Sequence, residues 1–210
     1  TSIGDQAFRD NDDLTSLTIP NTVTSINYHA LCFCYTITSL YLPDNFKWTI
    51  TDANECDGRD CGGIGFRKGD LVYYIQNDGE TAYVGASYRF VGEKLTVVEI
   101  PETITISSGQ TYTVVGVEGD GFSGFEALTT ITFPKTLQWI EWDAFEGDRN
   151  LSKVTCYATT PPEAYGNSFD NYGAELYIPC ESKELYEYSA GWASFRHIMC
   201  GTTAVSEVSA

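Results

Sequence analysis

One segment, Leu128 to Phe145 (LTTITFPKTLQWIEWDAF), recurs upstream as Leu14 to Leu31 (LTSLTIPNTVTSINYHAL), and this recurrence constrains the chain more than any other feature. Leu128 and Leu14, Ile131 and Leu17, Phe133 and Ile19, Pro134 and Pro20, Ile140 and Ile26, and Phe145 and Leu31 all stand 114 positions apart. A shorter step of 23 residues relates Pro20 to Pro43, Ile3 to Ile26, Val117 to Ile140 and Phe122 to Phe145. A fixed period in the twenties marks a stack of small units, each too small to bury an apolar face alone and each covering its neighbour's.

Within a unit, Leu17-Thr18-Ile19 alternates as a short strand with two residues inward and one outward. Pro20 lacks an amide hydrogen and ends the strand. Val23 and Ile26 supply a second inward pair and Ala30-Leu31 a third contact, so the unit bends around a core as a solenoid coil does. The outward residues Thr18, Tyr41, Glu99, Thr132, Thr155 and Tyr177 are expected to form one column, a polar stripe suited to protein or glycan contact.

The register runs through residues 1–43, breaks at Asp44 and resumes at 94, with the first later motif at Val98-Glu99-Ile100-Pro101. The insertion, 44–93, holds an irregular loop at 52–65 and two apolar runs, 71–75 and 81–84, around Asn77-Asp78-Gly79, which predicts a β-hairpin. A two-repeat block buries its own ends poorly, so one continuous body with an insertion is expected. The unit between Pro101 and Pro134 is 33 residues long, ten more than the period, with a turn at Ser107-Ser108-Gly109. Glu184, Leu185, Tyr186, Trp192, Phe195 and Ile198 have helix-like spacing and form an expected aromatic lid over the last coil, within the 94–200 region. Residues 201–210 read as a tail. Thr1 aligns with Thr24, inside a repeat, so the chain is expected to begin partway through a longer protein.

With 12 basic and 29 acidic residues the net charge is −17. Such a surface repels phosphate backbones and anionic lipid, which argues against nucleic acid and against electrostatic membrane docking. No run approaches the roughly 20 apolar residues of a membrane-spanning helix. The seven cysteines include no Cys-x-x-Cys knuckle. Cys56 with Cys61, in a Gly- and Asp-rich loop, and Cys180 with Cys200, flanking the last segment, are the candidate disulfides, consistent with an extracytoplasmic setting. Cys34 aligns with Phe125 and reads as a buried thiol.

Catalytic signals are sparse. His29 aligns with Gln6 and Asp143, polar surface types, and His197 sits in the lid; neither has the partners of a catalytic base. No Gly-x-Ser-x-Gly, His-Glu-x-x-His or phosphate-binding glycine loop occurs. Carboxylate pairs such as Glu141 with Asp143 are expected by chance in so acidic a chain. Asp52, Asp57 and Asp60 lie in the segment closest to a calcium loop. Gly58, however, falls at the seventh position instead of the sixth and Cys56 occupies a ligand slot, so a solvated loop is expected and no metal or cofactor. Trp139 and Trp142 align with Ser25 and Tyr28. A core position does not alternate between Trp and Ser, so Trp139 is expected to be partly exposed, where it suits stacking on a sugar or anchoring a protein.

Leu-x-x-Leu-x-Ile-Pro, followed by Val-Thr-Ser-Ile and then Ala-Phe, resembles the BspA-like leucine-rich repeats of bacterial surface antigens over residues 1–43 and 94–200. The closing pattern from Ala158-Thr159-Thr160-Pro161-Pro162 through Leu176-Tyr177-Ile178-Pro179 to Tyr186, Trp192 and Phe195 is similar to that family's C-terminal end. Leu31 stands where the family has Phe. The resemblance implies a β-rich leucine-rich-repeat solenoid of the α/β repeat class, with short strands, a hairpin insertion and an aromatic cap. It further implies a secreted or surface-attached, non-catalytic module for adhesion or recognition, binding a protein partner through the sheet face. The alternatives are a glycan-binding accessory protein using Trp139, Trp142 and Tyr41, and a glycan-cleaving enzyme.

Overall fold

The computed structural model describes residues 1–27, 30–44, 46–47, 49–51, 64–86, 94–165 and 167–201. Successive coils contribute short strands to two sides of a solenoid, with a single hydrophobic core between them. In the early coils, β1 (Ser2–Ile3), β3 (Ser25–Asn27) and β5 (Thr49–Thr51) form one parallel ladder, and β2 (Ser16–Thr18) and β4 (Ser39–Tyr41) another. The register follows the sequence period, pairing Ile3 with Ile26 and Leu17 with Leu40.

In the later coils, β9 (Val97–Glu99), β12 (Thr130–Phe133), β14 (Lys153–Cys156), β16 (Glu175–Ile178) and β17 (His197–Cys200) make a five-stranded parallel sheet. Val98, Ile131, Val154 and Leu176 point from it into the core, each at most 2% exposed. The opposite side is a seven-stranded sheet. Along it lie β15 (Glu163–Ala164), β13 (Trp139–Ile140), β11 (Thr111–Val117), β8 (Thr81–Gly85), β7 (Leu71–Ile75) and β6 (Ile64–Lys68), while β10 (Thr103–Thr105) pairs with β11 as a hairpin.

The expected hairpin is β7–β8, antiparallel about Asp78-Gly79. Asp78 accepts hydrogen bonds from the Glu80 amide (2.7 Å), the Thr81 amide (2.9 Å) and the Thr81 hydroxyl (2.6 Å). Burial opposes its charge, but those donors and Lys47 outweigh it and hold the carboxyl below its ordinary value. The insertion is no appendage. It adds β6 to the hairpin, and β8 then runs parallel to β11, pairing Val84 with Val117, so the inserted strands extend one wall of the solenoid. The Arg67 amide donates to the Ile37 carbonyl at 2.6 Å and ties β6 to the early coils.

One departure from the sequence reading bears on function. Leu17, Leu40, Ile131 and Val154 share the core but not one ladder: β2–β4 and the five-stranded sheet are separate. The ten extra residues after Pro101 explain the break. They build the β10–β11 hairpin, whose turn lies along β4. Ser107 Oγ accepts from the Leu40 amide (3.1 Å), Ser108 Oγ from the Leu42 amide (3.1 Å), and Gln110 Nε2 donates to the Leu42 carbonyl (2.8 Å). Side chains thus satisfy backbone groups that a neighbouring strand would otherwise pair.

The spine of the later coils is aromatic. Phe122, Phe145 and Phe169 stack with centroids 5.3 and 5.0 Å apart and planes within 3°. The lid closes this stack. Tyr186 donates its hydroxyl to the Ala158 carbonyl (2.8 Å), Trp192 Nε1 donates to the Pro162 carbonyl (2.6 Å), and Cys180 is disulfide-bonded to Cys200. The helix-like spacing predicted there yields only a short helix, α1 (Lys183–Tyr188), and a 3-10 turn at Trp192–Ser194. Gly191, at φ 79° with Ala164 O against it, turns the chain between them, and Ile198 ends in β17 opposite Leu176.

Candidate functional site

Two outward surfaces carry the residues singled out by sequence. On the five-stranded side, Glu99 pairs with Thr132, Thr132 with Thr155, Thr155 with Tyr177 and Tyr177 with Met199. Thr18 and Tyr41 pair with each other on the separate two-stranded sheet, so the expected six-residue column is divided between Tyr41 and Glu99. Glu99 is exposed and Thr132 and Tyr177 are half-buried. Thr155 departs from the expected stripe at 8% exposure, a short side chain in an inner strand flanked by Thr132 and the Tyr177 ring. Tyr177 is fixed from both ends: its hydroxyl donates to Glu175 (2.7 Å), which raises its pKa, and Lys153 Nζ sits 4.8 Å from its ring centre.

Beside Glu99 and Thr132 opens a groove of ≈ 620 Å³ whose walls are Pro101, Pro134, Lys135 and Tyr157, with an ion pair from Lys135 to Glu102 (3.1 Å). The proline positions were legible as strand ends. That successive strand ends leave a trough between them follows only from stacking the coils.

The second surface is the outer face of the seven-stranded sheet. Trp139 is half-buried and Trp142 is 55% exposed. Each is stacked on a tyrosine: Trp139 on Tyr83 (6.4 Å, 21°) and Trp142 on Tyr165 (4.3 Å, 18°). Tyr41, grouped with these tryptophans in the glycan reading, lies on another sheet and does not join them. Burial pushes Tyr83 up to about 12, with Glu141 and Glu118 adding to the rise. Burial also raises Glu141, and Glu163 raises it further. Sequence reasoning missed Tyr83 because it belongs to the non-repeating hairpin and has no equivalent in other coils.

Carboxylates of Asp120, Asp143 and Glu146 come within 4.8 Å of one another at a coil corner, with Asp143 accepting from Asn167 Nδ2. Asp120 and Asp143 occupy equivalent repeat positions and share a left-handed backbone, φ 55° and 57°. Oxygen-only ligands of this kind suit a hard divalent cation. His197 is exposed on β17. Cys34 is buried, its thiol donating to the Phe8 carbonyl at 2.8 Å. His29, the loop residues Asp52, Asp57 and Asp60, and the Cys56 and Cys61 pair lie outside the described residues.

The family described as BspA type leucine rich repeat region matches the chain in 6 copies over residues 1–55 and 86–189. Similar solved structures include a leucine-rich repeat protein from Bacteroides capillosus ATCC 29799, 22% identical with a TM-score of 0.41, over 56% of this chain and 83% of that one. Another, from Bacteroides ovatus ATCC 8483, is 18% identical with a TM-score of 0.40, over 54% of this chain and 37% of that one. A leucine rich cell surface protein from Faecalibacterium prausnitzii A2-165 is 15% identical with a TM-score of 0.38, over 97% of this chain and 52% of that one. No curated protein matches the chain.

Proposed function

Because this chain belongs to the BspA type leucine-rich-repeat family, we propose that it is a non-catalytic recognition and adhesion module, secreted or held at the cell surface, that binds a protein partner through the five-stranded sheet face. The observation that carries this reading is the groove between Pro101 and Pro134, with Glu99 and Thr132 as adjacent rungs beside it. The rungs are held by parallel ladders and by the buried Val98 and Ile131 behind them, so a ligand meets a surface already in its bound shape. Proline walls and the Tyr157 ring offer apolar contact, while Thr132, Glu99 and the Lys135–Glu102 pair select for complementary polar groups. Family membership supports an extracellular setting. Among the described residues no helix is long and apolar enough to cross a membrane.

The test is saturable binding to a panel of purified extracellular glycoproteins by interferometry, repeated with Thr132→Arg, which fills the groove, and Tyr157→Ala, which removes a wall. Both variants are expected to weaken binding by about tenfold or more with unchanged melting, as for loss of a central contact. Absence of binding across the panel, or binding indifferent to both changes, overturns the proposal. The open face of Trp142 favours a second reading, a glycan contact; sugar-array binding abolished by Trp142→Ala supports that instead. Release of products from a polysaccharide, abolished by one Asp or Glu change, establishes the glycan-cleaving alternative.

A further inference from the structure

We propose that the outer face of the seven-stranded sheet is a second docking site, an aromatic floor bordered by carboxylates that takes an extended basic segment of a protein partner through its Arg or Lys side chains. Register places the components. Tyr83, Gly116, Trp139 and Glu163 are successive partners across four strands. Their neighbours Val84, Val117, Ile140 and Ala164 are buried, so this row faces outward. Glu118 and Glu141 continue the ladder beyond Val117 and Ile140, their amides donating to Val84 O and Val117 O, and bring carboxylates to the same face. At about 4.8 Å between strands the row is about 14 Å long, enough for about four residues of extended chain.

Gly116 makes the floor. A Cβ there would stand 2.8 Å from the Tyr83 ring, so the ring lies over the glycine and beside Trp139. Trp142, stacked on Tyr165, extends the aromatic surface with its other face open. The occupant follows from charge. Glu141 and Glu163 repel one another on this face, and among the described residues no ion pair engages either of them. A neutral sugar would stack on Trp142 and leave that repulsion in place. A guanidinium or ammonium relieves it and is also attracted to the Trp and Tyr ring faces. A net charge of −17 steers basic partners toward the chain. The site is on the opposite wall of the solenoid from the Pro101–Pro134 groove, so each stands or falls by itself.

The experiment follows a fluorescent peptide of alternating Arg and Gly by anisotropy, with Glu-Gly and Ser-Gly peptides as controls. The Arg peptide is expected to bind alone among the three and to quench Trp fluorescence. Affinity should fall about tenfold on raising salt, in the Glu141→Gln, Glu163→Gln double variant, and in Trp142→Ala. These substitutions are at accessible or half-buried side chains, and circular dichroism confirms folding. Thr132→Arg, in the other groove, should leave peptide binding unchanged. No binding, equal binding of all three peptides, or affinity unaltered by both face variants overturns the site. So does capture of a neutral glycan, lost in Trp142→Ala, by a chain that ignores the Arg peptide.

Discussion

At the residue scale, Asp148 sets a carboxyl group against an apolar surrounding. Its side chain is fully buried, and among the described residues no group meets hydrogen-bonding geometry to either carboxyl oxygen, the Phe125 amide being the nearby donor. Burial pushes its pKa up to about 8; the Phe125 amide pulls the other way, and Asp170 adds to the rise. Asp148 stands one period before Asn171, whose side-chain amide donates to the carbonyls of Arg149 (3.2 Å) and Leu151 (3.0 Å). Asp148→Asn supplies the same kind of donor without the charge. The folded pKa lies above the ordinary 3.8, so the folded chain holds this proton more tightly than the unfolded one. The contribution to stability is therefore full below the ordinary value and is lost as pH rises toward about 8. Thermal melts should show Asp148→Asn raising Tm by several degrees at pH 8, on the scale of about 2–4 °C per kcal/mol for a domain of this size, and by much less near pH 4.

At the element scale, the β10–β11 turn decides where one sheet stops. Ser107 and Ser108 stand in for a strand at the edge of β4, and removing both hydroxyls leaves the Leu40 and Leu42 amides without those acceptors. The Ser107→Ala, Ser108→Ala double variant should lose about 1–3 kcal/mol per orphaned donor in urea unfolding, with faster hydrogen exchange at Leu40 and Leu42. The turn was visible in sequence as Ser-Ser-Gly within an overlong unit. That its hydroxyls would land on a strand 66 or more residues earlier was not, because nothing local to either segment encodes the meeting. The same holds for Tyr83: the Asp-Gly hairpin was legible, yet only the pairing of β8 with β11 lays its ring on Gly116 beside Trp139.

At the scale of the molecule, a stack of coils transmits stability through nearest neighbours. Phe145 lies between Phe122 and Phe169 and touches Phe133 edge-on, so it couples three successive coils. Phe145→Ala should cost about 3–5 kcal/mol. The loss should appear first as weakened exchange protection in β12–β15, while the β7–β8 hairpin keeps more of its own. Uniform loss across the whole chain would mean that the coils unfold as one unit.

What recurs every 23 residues was determined by sequence alone: the coil, its inward Leu, Ile, Val and Phe positions and its proline stops, since periodic burial leaves a periodic trace. What occurs once was decided by tertiary structure. The split between Tyr41 and Glu99, the burial of Thr155, and the union of Tyr83 with Trp139 all arise where non-repeating segments pack against the repeats. Such contacts join residues far apart in the chain, and their energy depends on shapes that exist only after the coils have stacked.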